Sequence, residues 1–204
     1  MTPLGKHLLG ACALLSLSAC GSLLGGGDKA VLYRLGGDIP GAQASPVGDV
    51  PVRIFRPNLP PGADGDRILT FSGREAAHLA GSRWLGPAPD LLRDTIVAAV
   101  PRAAGPAYVL NGGGSPRFVL STGFTDFAAY YDAGPEQPPV VRIAAQTELR
   151  RAGDDQPIAV AVHSAERRAS DNRVSAITEA FDAASLQISG HIAGWLQRHV
   201  NEAR

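Results

Sequence analysis

Cysteine is nearly absent from this chain. Its 204 residues include only Cys12 and Cys20. If the chain is cut just before Cys20 and that thiol is acylated, no free thiol remains. Disulfides and cysteine metal sites are then excluded. Charge of one sign is lacking too. Lys+Arg and Asp+Glu both count 19, so the net charge is zero. The basic excess of a nucleic-acid-binding protein is therefore missing. Lysine occurs only as Lys6 and Lys29, which we read as genome composition before function. No apolar run reaches the ~20 residues that a membrane-spanning helix needs. Hydrophobic residues make up 45% and charged residues 19%. That balance supports a buried core and is not the composition of a disordered chain. The length fits one domain, and no internal repeat is visible.

Catalytic signatures are lacking as well. The chain has no G-x-S-x-G elbow, phosphate-binding loop, H-E-x-x-H or G-x-G-x-x-G. Gly112-Gly113-Gly114 precedes no predicted helix and no lysine follows it, so it reads as a turn. The histidines beyond the N-terminal segment are His78, His163, His191 and His199. His191 and His199 stand eight residues apart on one predicted helix, too far for a two-ligand site on adjacent turns. A zinc site needs several converging ligands. Asp154-Asp155 and the pair Asp64 and Asp66 lack the spacing of a calcium loop and read as solubilising loop charges. The expectation is a protein that is not an enzyme and holds no metal or cofactor.

What is present begins at the N-terminus. Lys6 supplies a short positive segment, and Leu8 to Leu17 is apolar and too short to span a bilayer. Leu17-Ser18-Ala19-Cys20 follows, then Gly21. An aliphatic residue, two small residues and a cysteine resemble the bacterial lipobox. The small residues let an extended backbone enter a peptidase cleft, and the thiol can take a diacylglycerol. Lipidation changes the reading from soluble to anchored. Several acyl chains, at roughly 0.8 kcal/mol per buried CH₂, hold a protein on a membrane essentially permanently. Glycine after the cysteine, where aspartate would resemble an inner-membrane retention signal, favours the periplasmic side of the outer membrane. The predicted organisation is a signal peptide over 1–19, a lipidated flexible tether over 20–30, and a single α+β domain over 31–204.

Within that domain, Val31 to Leu35 reads as a short strand and Gly36 to Gly48 as a loop. Val50 to Phe55 alternates and reads as a strand, ended by Arg56-Pro57-Asn58-Leu59-Pro60-Pro61-Gly62. Arg67 to Ser72 and Glu75 to Leu79 read as two short strands around a turn at Gly73. Pro87 to Val100 reads as a helix with an apolar stripe of Leu91, Leu92, Thr95, Ile96 and Ala99, stopped by Pro101. Tyr108 to Leu110 reads as a strand. Three longer strands follow, with Phe118, Leu120, Thr122 and Phe124 alternating in the first. Val141, Ile143, Ala145, Thr147 and Leu149 alternate in the second, and Ile158, Val160, Val162 and Ser164 in the third. They form an antiparallel meander with one packed and one wet face. Val174 to Glu202 reads as a long closing helix. Its stripe is Ile177, Phe181, Ala184, Ile188, Ile192 and Trp195.

Two apolar groups stand out as interface candidates. Arg83 and Trp84 precede the first helix, and Arg and Trp are frequent interface anchors. A tryptophan at the core edge is the alternative, and Tyr130-Tyr131 carries the same ambiguity. The closing helix is the second. About 29 residues at 1.5 Å give roughly 43 Å, against roughly 33 Å for a strand of about 10 residues. The helix end is expected to overhang the sheet and expose Trp195, Leu196 and Val200 to a neighbouring subunit or partner.

The order of features resembles the ABC-type transport auxiliary lipoproteins, the PqiC-like group. It runs from the lipobox through Arg56-Pro57-Asn58-Leu59-Pro60 and Ile68 to Leu79. Arg83-Trp84-Leu85, Pro89-Asp90-Leu91-Leu92 and the closing Trp195-Leu196 complete it. The resemblance implies an α+β domain with a mixed or antiparallel sheet and two helices packed on it, similar to the TolB amino-terminal domain. It implies a non-catalytic component of an envelope lipid transport system, beside an MCE-domain protein and an ABC permease and ATPase. It is compatible with a ring-shaped homo-oligomer. Two other classes remain open on the residues alone: a periplasmic lipid- or small-ligand-binding lipoprotein, and a structural envelope-assembly lipoprotein.

Overall fold

A computed structural model describes residues 30–37 and 48–204. The expected signal peptide, Cys20, nearly all of the expected tether and most of the expected first loop lie outside them. The strands are β1 Val31–Tyr33, β2 Val50–Ile54, β3 Leu69–Ser72, β4 Glu75–His78, β5 Ser82–Trp84, β6 Ala107–Val109, β7 Phe118–Tyr130, β8 Val140–Arg151 and β9 Pro157–Arg168. The helices are α1 Ala88–Ala99 and α2 Val174–Glu202, with a 3-10 turn at Val100–Arg102.

The meander β7–β8–β9 is antiparallel throughout, as the alternation predicts. Its long first strand organises the rest. One edge of β7 takes β8, while the other takes parallel β2 near Phe118 to Leu120 and parallel β3 near Ala129 and Tyr130. β6 extends the sheet beyond β2 in parallel, and β4 pairs antiparallel with β3. The sheet is therefore mixed. β1 and β5 form a separate parallel pair.

α2 packs on β8 and β9 and against α1. Both helices present their predicted stripes inward: Leu92 and Ile96 of α1, and Ile177, Phe181, Ile188 and Ile192 of α2, are fully buried. A cluster of rings ties the parts together. Phe181 meets Phe127 at 5.1 Å and Trp84 at 5.3 Å between centroids. Trp84 thereby fastens the small β1–β5 pair onto the main core. Asp182, one residue on, accepts the backbone N–H groups of Gly36 and Gly37 and pins the chain just after β1.

Two details depart from the plain alternation. A bulge between Phe124 and Asp126 in β7 inserts one residue, so the inward set changes from Phe118, Leu120, Thr122 and Phe124 to Phe127 and Ala129. In β9 the parity is the reverse of the one read from Ile158, Val160 and Val162. Register decides it. Ala145, Thr147 and Leu149 of β8 face inward, and they pair with His163, Ala161 and Ala159. The small residues lie under α2, and the β-branched row faces solvent.

The closing helix does not overhang. Trp195 is 6% exposed, and Leu196 and Val200 are fully buried. The strands are longer than the overhang argument assumed: β7 has 13 residues and β8 has 12, roughly 40–43 Å of strand at ~3.3 Å per residue. That matches the helix. At this end buried Gln197 donates to the carbonyls of Val100 and Ala107 and accepts from the Ala107 N–H. Gly105 crosses Gln197 so closely that a Cβ would lie 2.4 Å from its Oε1. Gly105→Ala is therefore expected to destabilise the domain by about 2 kcal/mol, through overpacking against a side chain held by three hydrogen bonds. A thermal melt checks this, and an unchanged midpoint refutes it.

Candidate functional site: an open strand edge

The interface candidates named from sequence separate by parity. On β5, Trp84 faces the core at 1% exposure, while Arg83 faces outward and bonds both carboxylate oxygens of Asp66 at 2.9 and 3.0 Å. Trp84 is thus a core residue, and so are Trp195, Leu196 and Val200. Cys20 lies outside the described residues. Tyr130 is sandwiched between the Phe71 ring at 5.2 Å and the Arg142 guanidinium at 4.9 Å. Its hydroxyl donates to Asp126 at 2.8 Å. Partial burial, reinforced by that carboxylate, pushes its pKa up to about 12.

Most of the remaining candidates for chemistry have separate local hydrogen-bond or ion-pair partners or stand in loops. His78 bonds the Gly62 carbonyl, His199 the Trp195 carbonyl, and His163 the Thr147 hydroxyl. Gly112 and Gly114 turn their carbonyls to the Arg53 guanidinium, as a turn does. Asp66 pairs with Arg83, and Asp154 and Asp155 sit exposed in the β8–β9 loop. Among the described residues no group of His, Cys, Asp or Glu is arranged to hold a metal ion. No described helix is long and apolar enough to cross a membrane.

The surface instead offers an unpaired strand edge. Among the described residues β9 pairs only with β8. Proteins usually blunt such an edge with lysine, proline or inward charge. Here Pro157 guards one end, and Glu166, Arg167 and Arg168 stand at the other. The middle is apolar: Ile158, Val160 and Val162 are 39%, 51% and 75% exposed. The sequence carried this signal as alternation. Alternation alone does not say which face is buried, because Ala159 and Ala161 are also apolar. A smaller exposed group, Val31, Leu32 and Leu85, lies on the β1–β5 pair.

A family model of the ABC-type transport auxiliary lipoprotein component matches residues 33–193, a span that holds the whole main sheet, α1, all but the first two residues of β1, and most of α2. Among solved structures, a DUF330 protein from Xanthomonas campestris is similar. Its TM-score is 0.68 at 19% identity, over 85% of this chain and 98% of that one. An uncharacterised protein gives a TM-score of 0.65 at 18% identity, over 82% and 99%. At these identities the likeness concerns the fold alone. A comparison with curated proteins found no match. The family describes an auxiliary transport component and is not a known enzyme family. With its mixed sheet, two packed helices and a match over most of its length, this chain belongs to the ABC-type transport auxiliary lipoprotein family.

Proposed function

We propose that this protein is the membrane-anchored, non-catalytic lipoprotein of an ABC/MCE-type envelope lipid transport system, and that it links the transporter to the outer membrane. The family match carries the reading. The lipobox Leu17-Ser18-Ala19-Cys20 supplies the anchor, and Gly21 favours the outer membrane. In this reading the protein works by holding partners in place, in keeping with the auxiliary role its family describes.

The docking edge in this reading is β9, and its occupant is an extended segment of the MCE-domain partner. An added strand would satisfy the free backbone groups of β9, and the pockets between Ile158, Val160 and Val162 would select its side chains. This edge takes the place of the α2 end as the partner surface. Val160→Lys with Val162→Lys tests it. Val160 stands opposite Glu148 and Val162 opposite Gln146, so lysines there protect an edge in the usual way. Stability should change by no more than ~0.5 kcal/mol per site, while recovery of the partner with the lipoprotein should be lost. Undiminished recovery would remove β9 as the docking edge.

A further inference from the structure

Between β9 and α2 runs a groove of about 510 Å³, within the usual ~300–1,000 Å³ of small-molecule sites. Its floor is Gly190 and Gly194, one turn apart on α2. Glycine inside a helix is unfavourable, because it frees the backbone and buries nothing. Packing inside the domain does not require either one. A Cβ at Gly190 would meet nothing within 4 Å, and one at Gly194 would meet only the Arg198 guanidinium at 3.7 Å. The two glycines thus keep open a space that the fold itself does not use. Arg198 lies back across that floor.

The walls are cationic or able to become so. His163, His191 and Arg198 converge on the groove, with the Trp195 ring beside them. His163 is nearly buried, at 9% exposure. One ring nitrogen bonds Thr147, and the other has no partner among the described residues. Among the described residues no carboxylate lines the groove and none pairs with His191 or Arg198. Burial, with His191 and Arg198 close by, holds His163 below the ordinary histidine pKa. Some arginines elsewhere have acidic partners, as Arg56 has Asp90 and Arg168 has Asp132, whereas others, such as Arg53, bond only backbone carbonyls among the described residues. Val162 forms an apolar lip.

We infer that the groove between β9 and α2 binds a phosphoanion, with Arg198 and His191 neutralising the phosphate and His163 donating a hydrogen bond to it over the Gly190–Gly194 floor. A guanidinium fork suits phosphate geometry. The apolar lip at Val162 and the length of the floor leave room for a glycerol backbone beyond the phosphate. The shared chemistry is a phosphate group, from free phosphate or from a glycerophospholipid headgroup. This site does not depend on the transport reading, because it requires no partner chain.

The test uses the full lipidated chain in non-ionic detergent, with ¹⁵N-labelled histidine. Inorganic phosphate and sn-glycerol 3-phosphate are titrated separately while the ring resonances are followed. Saturable shifts of His163 and His191 together are expected. Tighter binding of glycerol 3-phosphate would point to a headgroup, and tighter binding of inorganic phosphate to the free ion. Arg198→Gln should weaken binding at least tenfold. Gly190→Leu should abolish it while the domain's melting midpoint stays the same or rises, since the added side chain enters open space and leucine favours the helix. Arg74→Gln, on the β3–β4 turn, should change nothing. Histidine resonances that do not move with either probe, or that respond equally to acetate, would overturn the assignment. So would full binding by a folded Gly190→Leu variant.

Discussion

Phe181→Ala is expected to cost the domain about 3–5 kcal/mol, the usual range for deleting a fully buried phenylalanine. Phe181 is completely buried and touches rings from two other elements, Phe127 of β7 and Trp84 of β5. The space it leaves cannot collapse easily. The bulge fixes the position of Phe127, and Trp84 is held by pairing between β1 and β5. Losing Phe181 also loosens the attachment of the β1–β5 pair, which the neighbouring Asp182 secures through Gly36 and Gly37. Chemical denaturation read by far-UV circular dichroism checks the value. A loss below ~1 kcal/mol would mean that the ring cluster does not hold the small pair to the core.

Cys20→Ser is expected to release the protein from the membrane. The proposed anchor is covalent lipid on that one sulfur, and serine offers no thiol for the diacylglycerol transfer. Acyl chains contribute roughly 0.8 kcal/mol for each buried CH₂. Removing several chains therefore changes partitioning by many orders of magnitude, far beyond what exposed Val31, Leu32 and Leu85 could restore. The folded domain should be unaffected, because ten residues, four of them glycine, separate Cys20 from β1. Fractionation of cells grown with a labelled fatty acid tests this. A variant that stays with the membrane and keeps its label would show that Cys20 is not the anchor.

Much of this fold could be read from sequence where one physical signal dominates. The α1 and α2 stripes, the Gly73 turn and the alternation of β8 each have a single consistent solution, and the structure has all of them. Three features could not be read because the deciding information is long-range. The inward face of β9 is set by its register on β8, and both of its faces are apolar in sequence. The bulge after Phe124 shifts parity without any glycine or proline at the inserted position to mark it. The fate of Trp195, Leu196 and Val200 depended on strand length, and β7 runs on through its bulge to 13 residues where the plain alternation stopped at Phe124. Parallel pairing of β2, β3 and β6 lay outside local patterning altogether. The candidate site suffered most from this. The apolar residues that stood out in sequence are core, and the exposed edge was hidden in a strand that looked half-buried.

The central claim is a place in an ABC/MCE lipid transport system, and recovery of the native complex tests it most directly. The lipidated protein, carrying a C-terminal affinity tag, is cross-linked in intact cells, purified from solubilised envelopes and its partners identified by mass spectrometry. The account predicts an MCE-domain protein recovered in stoichiometric amount together with an ABC permease and ATPase, and their loss in the Val160→Lys, Val162→Lys variant. Recovery of pilus or secretion components in their place, with no MCE-domain protein present, would contradict it.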